Sequence, residues 1–251
     1  MNIFITGGTS GFGKAIAYRF AERGWNIVIT GRREDRLRLI ESELRSNYNV
    51  KVLALQFDVT QQSQVDNAVN SLPYDFKSID VLVNNAGLAS GLSLIHDGDI
   101  SDWEKMIDTN IKGLLYVSRA IMPLMINAKK GHIINISSTA GKDVYLRGNV
   151  YCASKFAVDA LSKAMRMDML EHGIKVTNVA PGAAETEFST VRFKGDAERA
   201  KKVYDGYQPL SPDDIADIVY FAATRPPHVV LNDIVVTPVA QANPFYLNRN
   251  A

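Results

Sequence analysis

A single cysteine, Cys152, excludes any disulfide within the chain and leaves a small packing role for that side chain beside Tyr151. The four histidines, His96, His132, His172 and His228, lack metal-ligand spacing, and neither histidine nor cysteine stands where a hydrolytic triad or zinc site needs it. No metal is expected. No apolar run is long enough to span a membrane, and the first residues read as a strand rather than a signal peptide, so the expected address is cytoplasmic. Charge of one sign is also lacking. The 28 Lys and Arg and 27 Asp and Glu are interspersed and leave +1, which argues against nucleic acid or a membrane surface as partner. Pro- or Ser-rich linkers, internal repeats and low-complexity tracts are missing too. With 251 residues, 46% of them hydrophobic, the expectation is one domain over 1–251 that acts on a small molecule.

What is present starts with a nucleotide signal. The apolar run Asn2 to Thr6 leads into Gly7-Gly8-Thr9-Ser10-Gly11-Phe12-Gly13, and an amphipathic segment, Lys14 to Arg23, follows without a gap. Strand, glycine turn and helix in that order make a pyrophosphate site. Glycines let the backbone turn and approach the phosphates, and the free amides at a helix start favour negative charge. The spacing is Gly-x-x-x-Gly-x-Gly rather than Gly-x-Gly-x-x-Gly, with the same mechanism.

Tyr151 and Lys155 lie four residues apart, so on a helix the phenol and the ammonium share one face. A free phenol titrates near 10, and half-ionisation at neutral pH needs a shift of ~3 units, or ~4 kcal/mol. One ammonium at ~4 Å supplies up to ~4 kcal/mol at an effective dielectric of 20, before desolvation is subtracted. Ser138 stands thirteen residues before the tyrosine, just after the apolar run His132 to Ile136, with Ser137 as its competitor.

Further apolar runs at 27–30, 52–57, 81–83, 176–179 and 234–236 alternate with helical patterns at 33–45, 63–71, 111–127, 150–171 and 212–223. Together these predict a Rossmann-type α/β fold: a doubly wound, seven-stranded parallel sheet with helices on both faces and its ligand crevice at the carboxyl ends of the strands. The charged, aperiodic stretch from Thr186 to Gln208 reads as a mobile substrate loop, taken to begin near 183, or as an ordinary surface connection. Residues from about 238 form a tail whose run Asn243 to Leu247 is too apolar for a free end.

Thr6-Gly7 to Gly13, Asn84-Asn85-Ala86-Gly87, Asn110, Ser138, Tyr151 with Lys155, and Pro181-Gly182 together resemble the short-chain dehydrogenase/reductase family, from residue 2 to about 190. The runs Thr30 to Arg33, Ile107 to Asn110 and Glu187 to Gly195 look like its NADP-dependent 3-hydroxy acid dehydrogenases. Those act on serine, 3-hydroxyisobutyrate or 3-hydroxypropionate, and reduce malonic semialdehyde. The resemblance implies that Tyr151 exchanges the hydroxyl proton, Ser138 holds the same substrate oxygen, and Lys155 binds the nicotinamide ribose while acidifying Tyr151. It also makes Asn110 the anchor of a water relay, with a helix cap as the bland alternative. Gly7, Thr9, Ser10, Gly11, Phe12, Gly13, Pro181, Gly182 and Thr186 become cofactor contacts. Set beside that resemblance, the loop Ala183-Ala184-Glu185 is one residue shorter than in those enzymes. The family commonly forms homotetramers through helices corresponding here to 111–127 and 150–171, and the apolar tail is expected on a neighbouring subunit.

Asn85, after the strand at 81–83, either contacts the adenine ribose or braces the sheet. Asp58 either accepts the adenine amino group or caps the next turn. Where a reader of NAD needs a carboxylate after the second strand, this chain has Arg32 and Arg33, whose guanidinium groups match a 2′-phosphate and favour NADP(H). Their alternative is a pair of solvated charges. Arg192 is the expected anchor for a substrate carboxylate, against a solvated arginine or a partner of Glu187; Lys142 and Arg147 are the other nearby cations. The leading function is therefore interconversion of hydroxyl and carbonyl in short 3-hydroxy acids with NADP(H). The alternatives are a broad carbonyl reductase for uncharged ketones and a non-catalytic NADP(H) sensor.

Overall fold

In a computed structural model that describes residues 1–250, β1 (Asn2–Ile5) lies inside a wholly parallel sheet and is flanked by β2 (Asn26–Gly31) and β4 (Val81–Asn84). The full order is β3-β2-β1-β4-β5-β6-β7. Here β3 is Val52–Gln56, β5 His132–Ile136, β6 Lys175–Pro181 and β7 Asp233–Val236. The winding reverses between β1 and β4, so two connections leave that point in opposite directions and open a crevice at the carboxyl ends of both strands.

Each central strand is apolar on both sides, as a sheet covered on both faces requires. Alternate residues divide between two cores. Ile3, Ile5, Ile27, Ile29, Ile134 and Val179 pack with α1 (Gly11–Glu22), α2 (Glu34–Asn47) and α9 (Pro212–Ala223). Phe4, Val28, Leu82, Ile133 and Val176 face the other way, onto α3 (Gln62–Asn70), α5 (Leu114–Ala128) and α6 (Asn149–Asp168).

Two expectations change. The helix expected from residue 111 begins at Ile100, as α4 (Ile100–Ile107), and continues through one π turn, Asp108–Gly113, into α5. Asp99, which accepts from the Ser101 amide at 2.9 Å, starts it. The aperiodic stretch 186–208 carries two short helices, α7 (Glu187–Arg192) and α8 (Ala197–Lys202), capped by Thr186 and Asp196. The tail turns back as a hairpin of β8 (Gln241–Asn243) and β9 (Tyr246–Leu247). Its Phe245 and Tyr246 side chains remain exposed.

His132, at the start of β5, is buried with Nε2 at 2.7 Å from Thr177 Oγ1 and with Nδ1 unpartnered. Burial first, then the Lys175 ammonium, pulls its pKa from 6.5 down to about 3. The unfolded chain therefore takes up this proton before the folded one does. Stability should be full above pH 6.5 and decline as pH falls toward about 3, by at most on the order of 5 kcal/mol at 1.36 kcal/mol per unit. In urea titrations across that window, His132→Gln should flatten this part of the acid limb; an unchanged slope would remove His132 from it.

Candidate active site

The crevice holds a cleft of about 490 Å³ that runs from Arg32 and Asp58 at one end to Tyr145, Arg192 and Tyr207 at the other. Its floor is the turn after β1. Gly7 and Gly11 have φ of +66° and +51°, which side chains other than glycine rarely adopt. Gly13 serves packing: a Cβ there would overlap the Gly7 carbonyl and Asn85 Nδ2. The turn thus lies against β4 and lines the cleft at the start of α1, a place that fits a pyrophosphate.

Asn85 takes the bracing role. Its Nδ2 donates to the carbonyls of Thr6 (2.9 Å) and Gly7 (3.1 Å), while Thr6 Oγ1 accepts from the amides of Asn85 (3.0 Å) and Ala86 (2.9 Å). Asp58 caps its turn, with Oδ1 accepting from the Thr60 amide and hydroxyl, both at 2.9 Å, and Oδ2 is 3.7 Å from Arg32. Both residues also line the cleft, with Thr9, Ser10, Phe12, Arg33, Pro181, Gly182 and Thr186. The guanidinium groups of Arg32 and Arg33 stand at the β2 end, where a 2′-phosphate would meet cations and no carboxylate from that strand end. These residues fit NADP(H).

Around the reacting end, α6 presents Tyr151 and Lys155 side by side, both buried, opposite Ser138 at the end of β5. Ser137 points the other way, donating to the Lys155 carbonyl at 3.2 Å, which leaves Ser138 facing the tyrosine. The partners differ from the expected phenolate and ammonium pair. Lys155 Nζ donates to the Ile136 carbonyl at 2.9 Å, and burial pulls its pKa down to about 8. Burial pushes the Tyr151 phenol up, aided by Tyr145, against lowering by the Arg192 charge and by a hydrogen bond from Ser138. The cation facing this phenol is Arg192, whose guanidinium carbon lies 5.0 Å from the ring centre.

Asn110 is not a cap. It sits inside the π turn, where its Nδ2 donates to the Leu88 carbonyl (2.8 Å) and Ser154 Oγ (2.9 Å), and its Oδ1 accepts from the Leu88 amide (2.9 Å). The amide fastens the loop after β4 to α6. Lys142 is paired with Asp159 (2.5 Å) and Asp233 (2.6 Å), away from the reacting groups. Arg192 avoids Glu187 altogether. It hydrogen-bonds the Tyr145 hydroxyl and stacks on Tyr145, Tyr151 and Phe188.

The sequence reading passed over several wall residues. Gln241 accepts from the Ala183 amide at 2.7 Å through Oε1, the atom a side chain on Gly182 would strike. Pro244, Leu247 and Arg249 of the tail complete the wall with Tyr204 and Tyr207. The apolar run 243–247 was the only signal, since aromatic residues scattered through a tail have no period.

A doubly wound fold with a dinucleotide cleft, a buried Tyr and Lys and a facing Ser at its reacting end is that of an oxidoreductase acting on CH–OH groups. Residues 1–197 match the family model described as short chain dehydrogenase. The NADP-dependent 3-hydroxy acid dehydrogenase YdfG of Salmonella typhi is 46% identical over 243 residues, which cover 96% of each chain. The sulfoacetaldehyde reductase of Chromohalobacter salexigens is 45% identical over 96% of this chain and 94% of its own. Among solved structures, the closed form of serine dehydrogenase complexed with NADP+ superposes with a TM-score of 0.93 at 42% identity, covering 99% of this chain and 98% of the other. The chain belongs to the short chain dehydrogenase family.

Gly13→Ala should force the turn away from β4, at a cost of about 1–3 kcal/mol typical of overpacking. A lowered melting temperature together with loss of NADP+ binding in titration calorimetry is the expected result. Retention of both would show that the turn can move without consequence.

Proposed function

We propose that this enzyme interconverts the hydroxyl and carbonyl groups of short 3-hydroxy acids such as serine, 3-hydroxyisobutyrate and 3-hydroxypropionate, or malonic semialdehyde in reverse. One observation carries the substrate class: the Arg192 guanidinium stands over the catalytic tyrosine ring, hydrogen-bonded to Tyr145 at the reacting end of the cleft. A carboxylate on the substrate fits that fork, with the carbinol left beside Tyr151 and Ser138. The relatives named for 3-hydroxy acids and for serine support this reading.

Bound NADP(H) supplies or accepts the hydride. Tyr151 exchanges the hydroxyl proton at Oη, and Ser138 Oγ hydrogen-bonds the same substrate oxygen. Lys155 holds the nicotinamide ribose, and Asn110 fixes the loop that carries Gly87 against it. Pro181, Gly182 and Thr186 cover the cofactor from the β6 side, with the glycine turn beneath. Residues 183–208 and the tail from about 238 form the substrate side of a single catalytic domain over 1–251. We further assign a cytoplasmic homotetramer. Leu115 on α5 and Phe156 and Met167 on α6 are exposed apolar side chains that support assembly, and NADP(H) is an intracellular cofactor.

Tyr151→Phe should lower kcat by at least ~10²-fold, the lower range for general acid–base catalysis, and leave NADPH affinity nearly unchanged. Near-normal turnover would contradict the proton-transfer role. Arg192→Ala should raise KM for 3-hydroxy acids by a factor equivalent to ~1.5–3 kcal/mol, the worth of a hydrogen bond to a charged group, and spare the KM of an uncharged alcohol of similar size. Equal rises for both substrates would favour a carbonyl reductase of broad specificity.

A further inference from the structure

Arg33 is gripped from two sides. Its Nη2 donates to Thr9 Oγ1 at 2.9 Å and Ser10 Oγ at 3.0 Å, both in the glycine turn, and its Nη1 donates to Glu187 Oε2 at 3.1 Å. Arg36 Nη1 takes the other carboxylate oxygen, Oε1, at 2.7 Å. Glu187 is the first residue of α7, across the cleft from α2, and it lines the cleft together with Thr9, Ser10, Arg32 and Arg33. A carboxylate from the opposite wall therefore sits on a cation that a 2′-phosphate would need. Against burial, which raises it, Arg36 and Arg33 hold the Glu187 carboxyl below the usual carboxylate range.

Two anions cannot share Arg33 without repulsion. The pair is also half-exposed, with side-chain accessibilities of 41% for Arg33 and 48% for Glu187, so it is weak enough to exchange with a phosphate. Arg36 does not line the cleft and can keep its hold on Glu187 while Arg33 changes partner. We propose that Glu187 is an intramolecular competitor of the cofactor's 2′-phosphate: carboxylate and phosphate alternate on Arg33, and the exchange releases one of the two ion pairs tying α7 to α2. The proposal rests on the reading of Arg32 and Arg33 as the phosphate site. Glu187 then makes NADP(H) bind less tightly, and leave faster, than the arginines alone would allow. NAD(H), which brings no charge to this place, is indifferent to it.

The test is calorimetric titration of wild type, Glu187→Gln, Arg33→Gln and the double variant with NADP+, NAD+, 2′,5′-ADP and 5′-ADP, with stopped-flow measurement of NADPH release. Glu187→Gln should tighten NADP+ and 2′,5′-ADP by about three- to fivefold, the range of a half-exposed ion pair, and slow NADPH release by a similar factor. NAD+ and 5′-ADP should stay within about twofold, and the gain should vanish in the Arg33→Gln background. Weaker NADP+ binding in Glu187→Gln, or equal shifts for NADP+ and NAD+, would make Glu187 a strut of the cleft wall and overturn the proposal. If Arg33→Gln lowers the preference for NADP+ while Glu187→Gln changes nothing, the competitor alone is lost. If Arg33→Gln leaves that preference intact, the assignment of Arg33 to the phosphate fails first.

Discussion

Everything in the cleft depends on how the turn after β1 is held against the end of β4. Thr6 and Asn85 cross-link the two strands where the sheet reverses its winding, through four hydrogen bonds between one side chain of each and the backbone of the other. Neighbouring strands that continued in the same direction would have covered this point with a connecting helix. Because they diverge, the backbone groups at their ends stay open to a ligand, and the cross-link keeps those ends from spreading. The missing Cβ of Gly13 lets α1 begin close enough to share the same frame. Cofactor floor and sheet centre are one rigid unit.

Burial drives the two reacting groups the same way, Tyr151 toward the phenol and Lys155 toward the free amine. Neither is activated by the apo cleft alone. The Arg192 charge pulls the phenol in the opposite sense. A low-dielectric site makes each arriving charge count for more than it would in water.

The sheet and its covering helices were legible because buried strands and amphipathic helices leave unbroken periodic signals: the runs at 27–30, 132–136 and 176–179 lie within β2, β5 and β6. The glycine turn, Ser138, Tyr151 and Lys155 were legible for a different reason, because local chemistry fixes their spacing. What stayed hidden depends on distant parts of the chain meeting. Nothing in the run Glu187 to Gly195 marks α7 as a helix except its cap at Thr186. Nothing local tells Arg192 to stack on Tyr151 rather than pair with Glu187. Asn110 resembled a cap because caps and buried clamps use the same amide, and only the π turn around it distinguishes them. Lys155 shares a face with Tyr151 as its spacing required, yet its ammonium turns to Ile136, a choice made by the strand beneath it.

The wall contributed by the tail ties distant stretches of the chain together. Gln241 seals the loop at Ala183, and Arg249 donates to the carbonyls of Val203 (3.3 Å) and Asp205 (2.8 Å), so the last stretch of chain is sewn to the segment that faces substrate. Loosening the tail would therefore free the Ala183 and Val203 stretches of the cleft wall while leaving the glycine turn in place.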